Sequence, residues 1–317
     1  MKIVILDTQA GNPYNLPWNG LEQLGDCTFY DHTTSEQVAA RCHNAQLVLT
    51  KRVVLAAPVL ATLPQLRYIG VMGTGVNVVD VAQAHRQGIV VTHVPAYSSE
   101  SVAQLVFAHL LAITNRVEHY TAEAREGTWS RCSNFSYINT TMMELSGKTM
   151  GIVGLGNIGR CVARIAQGFG MRVQAFTSKE PCLLPPGISK VGLDDLFATS
   201  DVVSLHCPLT PTTRGMVCRE RLQLMMPHAI LINCARGGLV VEQDLAEWLN
   251  GGRLRAAGVD VLEQEPPLTS DPLLHARNCY ITPHTGWGTP EAQHRLIDIV
   301  VANVRAFLCG QPQNVVG

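Results

Sequence analysis

Apolar and polar positions follow two periods along nearly the whole chain. Short runs of consecutive apolar, β-branched residues predict buried strands at 2–6, 45–50, 66–71 and 89–92. Val102, Leu105, Val106, Leu110, Ile113 and Val117 then recur at close to helical spacing, which predicts one long helix starting near residues 98–101. Ser101 with Gln104 three residues on fits a capping box at its start. Residues 127–146 are polar and aromatic and predict irregular structure. A second, more regular series begins at Lys148, with strands predicted at 149–153, 171–176, 202–206, 229–233, 256–261 and 279–282. Helices are predicted to about residue 170, at 193–199 and at 242–250. Thr289 followed by Pro290 predicts a capped last helix, with Leu296, Val300, Val304 and Phe307 on one face.

Strand alternating with helix predicts an α/β chain of two doubly wound parallel sheets, each covered on both faces. The last helix follows the second series with little sequence after it, so it is expected to return to the first half. The expected organisation is a discontinuous domain, 1–100 plus 290–317, with a domain at 101–289 inserted and two crossing segments as hinge.

The chain has 317 residues, enough for about two domains. Lys and Arg number 24 against 25 Asp and Glu, a net charge of −1, which gives no electrostatic reason to bind nucleic acid or an anionic membrane. With 46% hydrophobic and 15% charged residues, a disordered chain is excluded. No apolar run approaches the roughly 20 residues that span a bilayer. The opening run is closed by Asp7 and reads as a strand, not a secretory signal. Ten cysteines form no C-x-x-C pair, and Cys207 and Cys234 lie in apolar runs. Reduced thiols, a cytoplasmic setting and no metal site are the expectation.

Gly154, Gly156 and Gly159 form a G-x-G-x-x-G motif between a predicted strand and a predicted helix. That context is what dinucleotide binding requires: a tight turn, a close backbone approach to the pyrophosphate, and close helix packing. The next strand should end in an acid if the cofactor is NAD, because a carboxylate accepts from the ribose hydroxyls. Here it runs into Thr177, Ser178 and Lys179, with no acid before Glu180. Hydroxyls and a lysine suit a 2′-phosphate, so NADP or use of both cofactors is favoured over strict NAD. Three further apolar strands end in Arg236, in Asp260 through Glu265, and in His284. Ligands gather outside the carboxyl ends of such strands. An arginine fork can grip a carboxylate, and histidine can exchange a proton with a carbonyl oxygen near neutral pH. A carboxylate on the other ring nitrogen fixes the ring and favours its acid form. A strand-end arginine alone is usually a surface ion pair and a Glu-Pro alone a turn; the joint placement is what carries weight.

With these stretches, with 73–80 (Gly-Thr-Gly-Val-Asn-Val-Val-Asp), 98–104 and with His206-Cys207-Pro208-Leu209-Thr210, the chain resembles the D-2-hydroxyacid dehydrogenases along essentially its whole length. The resemblance implies Arg236, Glu265 and His284 as the catalytic set. It implies a substrate carboxylate held by Arg236 and by the amides of Gly73, Thr74 and Gly75, an anion nest. It implies cofactor contacts at Asn157, Ile158, His206, Pro208, Thr213, Cys234, Ala235, Asp260, His284 and Gly286 beside those already named. Within the family, Thr50-Lys51, the Thr-Ser-Lys turn and the His284 to Trp287 ending are most similar to glycerate dehydrogenases (hydroxypyruvate reductases). Lys51 and Trp287 thereby join the candidate substrate residues, Trp287 with packing as its plain alternative. Departures are Asn157, Gln104 and Thr177, where many relatives carry an arginine, an acid and an aspartate. The implied reaction joins NAD(P)H to a small 2-oxo or D-2-hydroxy acid, most simply hydroxypyruvate or glyoxylate, in a homodimer. The alternatives are another enzyme of the family, acting on phosphoglycerate, a lactate-like acid, formate or phosphonate, or a non-catalytic NAD(H) sensor.

Overall fold

The computed structural model describes residues 1–316; Gly317, the end of the expected C-terminal segment, lies outside them. The chain divides into two compact units, Met1–Ser98 with Trp287–Gly317, and Ser99–Gly286.

The first unit is built on five parallel strands: β1 (Lys2–Ile5), β2 (Asp26–Phe29), β3 (Leu47–Thr50), β4 (Tyr68–Val71) and β5 (Val90–Thr92). Their order is β2-β1-β3-β4-β5. Ile3, Val4 and Ile5 are all fully buried, as a strand covered on both faces requires. The helix Pro290–Leu308 lies on one face, burying Leu296, Val300 and Val304 with Ile3, Ile5, Leu47, Leu49 and Tyr68. It starts as the sequence predicts: Thr289 accepts from the Ala292 N–H at 3.3 Å and Pro290 takes the first position.

The second unit has seven parallel strands: β6 (Thr149–Val153), β7 (Arg172–Phe176), β8 (Ile188–Lys190), β9 (Val202–Leu205), β10 (Ile230–Asn233), β11 (Ala256–Val259) and β12 (Cys279–Ile281). The order β12-β11-β10-β9-β6-β7-β8 places a switch of direction between β6 and β9, the point where doubly wound sheets hold their ligands. The helix Ser99–Asn115 packs Val102, Val106 and Leu110 against Met150, Ile152, Ile230 and Ile232.

Three local expectations are corrected. The long helix breaks at Arg116, which adopts φ +55°, and a second helix runs Val117–Arg125 with Val117 exposed at its start. Ser101 is no cap: the helix begins at Ser99, and the Ser101 hydroxyl donates to the Gly286 carbonyl at 2.5 Å. Strands β2 and β8 were not foreseen. Both are edge strands of three or four residues with half-exposed side chains, so they lack the apolar run that announces a covered strand. No helix of the described residues is long and apolar enough to cross a membrane.

Candidate active site

In the second unit the named residues cluster at the carboxyl ends of the strands. After β6, Gly154 takes φ +96°, where a Cβ would come within 2.7 Å of the Cys207 backbone nitrogen. A Cβ on Gly159 would lie 2.3 Å from the Gly154 carbonyl oxygen, so the helix Asn157–Gly168 presses directly on the turn. Gly156 meets nothing within 4 Å. Open space over Gly156, with no side chain capping the first turn of that helix, is a cradle that fits a pyrophosphate. The Asn157 side chain accepts from Arg160 at 3.0 Å, and the Ile158 side chain packs on the core, so what these two can offer a phosphate is backbone N–H.

After β7, Thr177 accepts from the Lys179 N–H at 3.3 Å, and Ser178 is exposed. Lys190, at the end of β8, donates to the Lys179 carbonyl at 2.8 Å. A second ammonium therefore stands at this turn, one that sequence reasoning missed because β8 itself was missed.

After β9, the His206 ring is enclosed. Its Nε2 lies 2.8 Å from the Ser204 hydroxyl, and its Nδ1 has no partner. Burial pushes its pKa down to about 3, so the ring stays neutral at working pH. Thr213 spends its hydroxyl within its own turn, donating to the Pro208 carbonyl at 2.7 Å. The Cys234 thiol is buried and held well above its usual range by desolvation.

After β10, the Asn233 side chain fixes the turn by donating to the Arg236 carbonyl at 2.9 Å and accepting from the Ala235 N–H at 3.1 Å. The Arg236 guanidinium donates to the Ala235 carbonyl at 2.7 Å and makes no ion pair among the described residues, which leaves a fork free for an anion. Gly237 lies so close to the Leu262 backbone that a Cβ would fall 1.9 Å from its carbonyl carbon. That contact sets the Arg236 turn onto the segment that carries Glu265. The Glu265 carboxylate accepts from the Leu262 N–H at 3.2 Å and from His284 Nδ1 at 2.6 Å.

His284 adopts φ +54°, a left-handed conformation. It is held there by Asp260. The buried Asp260 carboxylate accepts from the Thr282 hydroxyl at 2.6 Å, the Thr285 N–H at 2.8 Å and the Gly286 N–H at 2.9 Å. Its carbonyl accepts from the His284 N–H at 2.8 Å. His109, on the helix Ser99–Asn115, lies 3.0 Å from the Thr282 hydroxyl. Arg236, Glu265 and His284 thus stand on three turns that are packed or bonded to one another, with Asp260 as the brace beneath. Thr282, His109, Asn233 and Ser101 were missed as supports. A histidine inside an apolar helical stripe was the one sequence signal for them.

In the first unit, Gly73 and Thr74 spend their carbonyls on the Val94 N–H and the His93 ring, both at 2.9 Å. No acceptor takes the N–H groups of Gly73, Thr74 and Gly75 among the described residues. The main-chain N–H groups of Lys51, Arg52 and Val53 converge on the buried Asp7 carboxylate. Desolvation raises the Asp7 pKa against those three bonds. The Lys51 ammonium lies 3.3 Å from the centre of the Trp287 ring.

Residues 107–286 match the NAD-binding domain of the D-isomer specific 2-hydroxyacid dehydrogenases. A hydroxypyruvate reductase of Blautia hydrogenotrophica is 43% identical over 100% of this chain and 99% of its own. A glycerate dehydrogenase of Methylorubrum extorquens is 37% identical over 99% of this chain and 98% of its own. Among solved structures, an acyclic imino acid reductase in complex with NADPH and D-Arg superposes with a TM-score of 0.89 at 29% identity, covering all of both chains. The chain belongs to the D-isomer specific 2-hydroxyacid dehydrogenases, and is an oxidoreductase built to hold a nicotinamide cofactor.

Proposed function

We propose that this chain reduces hydroxypyruvate, and more slowly glyoxylate, to D-glycerate and glycolate, using NADPH or either reduced cofactor. The observation that carries the chemistry is the 2.6 Å bond between His284 Nδ1 and Glu265. With Nδ1 committed to the carboxylate, Nε2 is the ring nitrogen left to give a proton to a substrate carbonyl oxygen, or to take one from a hydroxyl. Glu265 compensates the positive charge of the ring before that transfer. Arg236 presents a planar fork to the substrate carboxylate, and the three N–H groups at 73–75 offer the first unit's own anion nest. A bound nicotinamide supplies the two-electron chemistry at the substrate's C2.

The relatives named above favour hydroxypyruvate over the family's other substrates. Lys179 and Lys190, without an acid before Glu180, favour a 2′-phosphate, and a structural neighbour was solved with NADPH. A cytoplasmic homodimer, its ten unbridged cysteines reduced, belongs to the same reading. The test is a panel of hydroxypyruvate, glyoxylate, pyruvate and phosphohydroxypyruvate run with NADH and NADPH. The highest kcat/KM is expected for hydroxypyruvate with NADPH, and the product should be the D isomer. Absence of cofactor oxidation with every acid would refute the proposal; a preference for phosphohydroxypyruvate would replace its substrate.

A further inference from the structure

We propose that the cavity at the amino ends of β6, β10 and β11 binds the phosphate group of a small molecule, held by Lys148, His228 and Arg255. The inference is independent of the reaction proposed above and lies wholly within the unit Ser99–Gly286.

The strands fix where these side chains stand. Lys148 directly precedes β6, Asp201 precedes β9 and Arg255 precedes β11, while His228 comes two residues before β10. In the sheet order β11-β10-β9-β6 these four positions are successive neighbours. Main-chain bonds tie the row together. The Asp201 N–H donates to the Thr149 carbonyl at 3.0 Å, the Ile230 N–H to the Asp201 carbonyl at 2.9 Å and the Arg255 N–H to the Ala229 carbonyl at 3.2 Å. The strands are parallel, so this row lies at the opposite end of the sheet from Arg236, Glu265 and His284. Four residues each in β10 and β11 separate the two ends by roughly 13 Å. Three strand spacings set the Lys148 and Arg255 main chains roughly 14 Å apart, within the combined reach of two long side chains.

A cavity of about 540 Å³ opens on this row, and Lys148, His228, Arg255, Ser146, Glu144 and Met142 are among the residues lining it. Its charge is out of balance. The buried Asp201 carboxylate is already shared: it accepts from the Thr149 N–H at 2.8 Å and lies 3.0 Å from His228 Nε2 and 3.9 Å from Lys148 Nζ. The Arg255 guanidinium donates to the Thr141 carbonyl at 2.6 Å and makes no ion pair among the described residues. Burial, and then the charge of Arg116, hold the Arg255 pKa below its usual range. Arg116 donates to the Tyr280 hydroxyl at 2.6 Å, a partner that cancels no charge. Lys148, Arg116 and Arg255 thus outnumber Asp201 and the exposed Glu144 by one, before any proton on His228.

The class of ligand follows from that surplus and from its spread over three strand ends. A carboxylate carries one charge on two oxygens and is met by a single arginine fork. A phosphate carries more charge on three oxygens, enough to engage an arginine fork, an ammonium and an imidazole together. The Ser146 hydroxyl adds a neutral donor to the same cavity. Met142, 44% exposed, offers the rest of a phosphate ester a soft apolar wall.

The test follows the Cε1–H resonance of His228, identified by its loss in His228→Asn. The protein is first saturated with NADPH or NADH, whichever binds tighter, so that the cofactor cradle is filled. Inorganic phosphate is then titrated at constant pH and ionic strength, with chloride as the control anion. A saturating shift is expected, half complete at on the order of 1 mM phosphate, and none from chloride. Arg255→Gln and Lys148→Gln keep a donor and remove a charge; each is expected to weaken phosphate binding by about tenfold or more, with the cofactor Kd unchanged. Phenyl phosphate is the second probe. Tighter binding than inorganic phosphate assigns the site to an ester resting on Met142, and weaker binding assigns it to the free ion; both uphold a phosphate site. The resonance reports this end of the sheet, so phosphate gripped by Arg236 does not imitate the result. No saturation up to about 50 mM phosphate, an equal shift with chloride, or binding undiminished in the variants would overturn the inference. Thermal melting with cofactor shows that each variant is folded, and either one alone carries the comparison.

Discussion

At the scale of single residues, His284 is held in a conformation that costs a non-glycine residue on the order of 1–3 kcal/mol. That conformation persists because Asp260 collects three donors from the same turn and its carbonyl accepts a fourth, from His284 itself. The imidazole is thereby presented to Glu265 without either side chain having to search. His284→Ala is expected to lower kcat by about 10²–10⁴, the span of a general acid, with cofactor Kd within about threefold of wild type. Glu265→Gln keeps an acceptor but not the charge, and should cost less than His284→Ala. Steady-state kinetics with a fluorescence titration of NADPH decide this; turnover intact in His284→Ala would remove the residue from the mechanism. Arg236, Glu265 and His284 were all legible in the sequence, each being a reactive side chain just past an apolar run. Asp260 was legible as a position only. Its four bonds as a brace depend on Thr282, Thr285 and Gly286 folding over it, which no pattern along the chain announces.

Elements act through what they permit at their ends. The helix Asn157–Gly168 can approach the β6 turn because Gly159 has no Cβ, whereas Gly156 leaves space empty. The two glycines should therefore separate in experiment. Gly156→Ala, at an extended φ of −80°, is expected to change unfolding free energy by less than about 1 kcal/mol, since an alanine there meets no neighbour. It should weaken NADPH binding at least tenfold by filling the cradle. Gly159→Ala forces a Cβ onto a backbone oxygen and should cost about 1–3 kcal/mol of stability as well. Urea unfolding without cofactor and a binding titration report the two quantities; equal stability losses would contradict the reading of Gly156 as open. Sequence patterning gave the helices at 193–199 and 242–250 their observed bounds. It failed at Arg116, where the apolar spacing carries on through a left-handed break, and at the edge strands β2 and β8, where half-exposed residues mute the signal.

For the whole molecule, the two lysines at the β7 and β8 ends have a measurable consequence. Cofactor at a hundred times its Kd stabilises the state that binds it by about 2.7 kcal/mol. For a unit of this size that corresponds to roughly 5–10 °C in melting temperature. NADPH is expected to raise the transition at least as much as NADH at equal concentration. In Lys179→Ala/Lys190→Ala the NADPH shift should shrink towards the NADH value, with NADH unaffected. A double variant whose NADPH shift is unchanged would take the phosphate away from these residues. The first half of this pair was visible in the sequence as Lys179. The second came from a strand whose three residues gave no apolar run of their own.

The sequence by itself determined which stretches become covered strands, where the glycine-rich turn after β6 lies, and which three reactive side chains follow the strands β10, β11 and β12. These follow from local rules, namely runs of apolar residues, glycine spacing and the chemistry of a side chain just beyond a run. Only the tertiary structure decided what those groups touch: that His284 meets Glu265 through Nδ1, that Asp260 is spent on bracing a turn, and that the Lys51 ammonium lies unpaired over Trp287. Such pairings join residues distant along the chain, and their free energy comes from burial and directional bonding that exist only once the chain has closed around them.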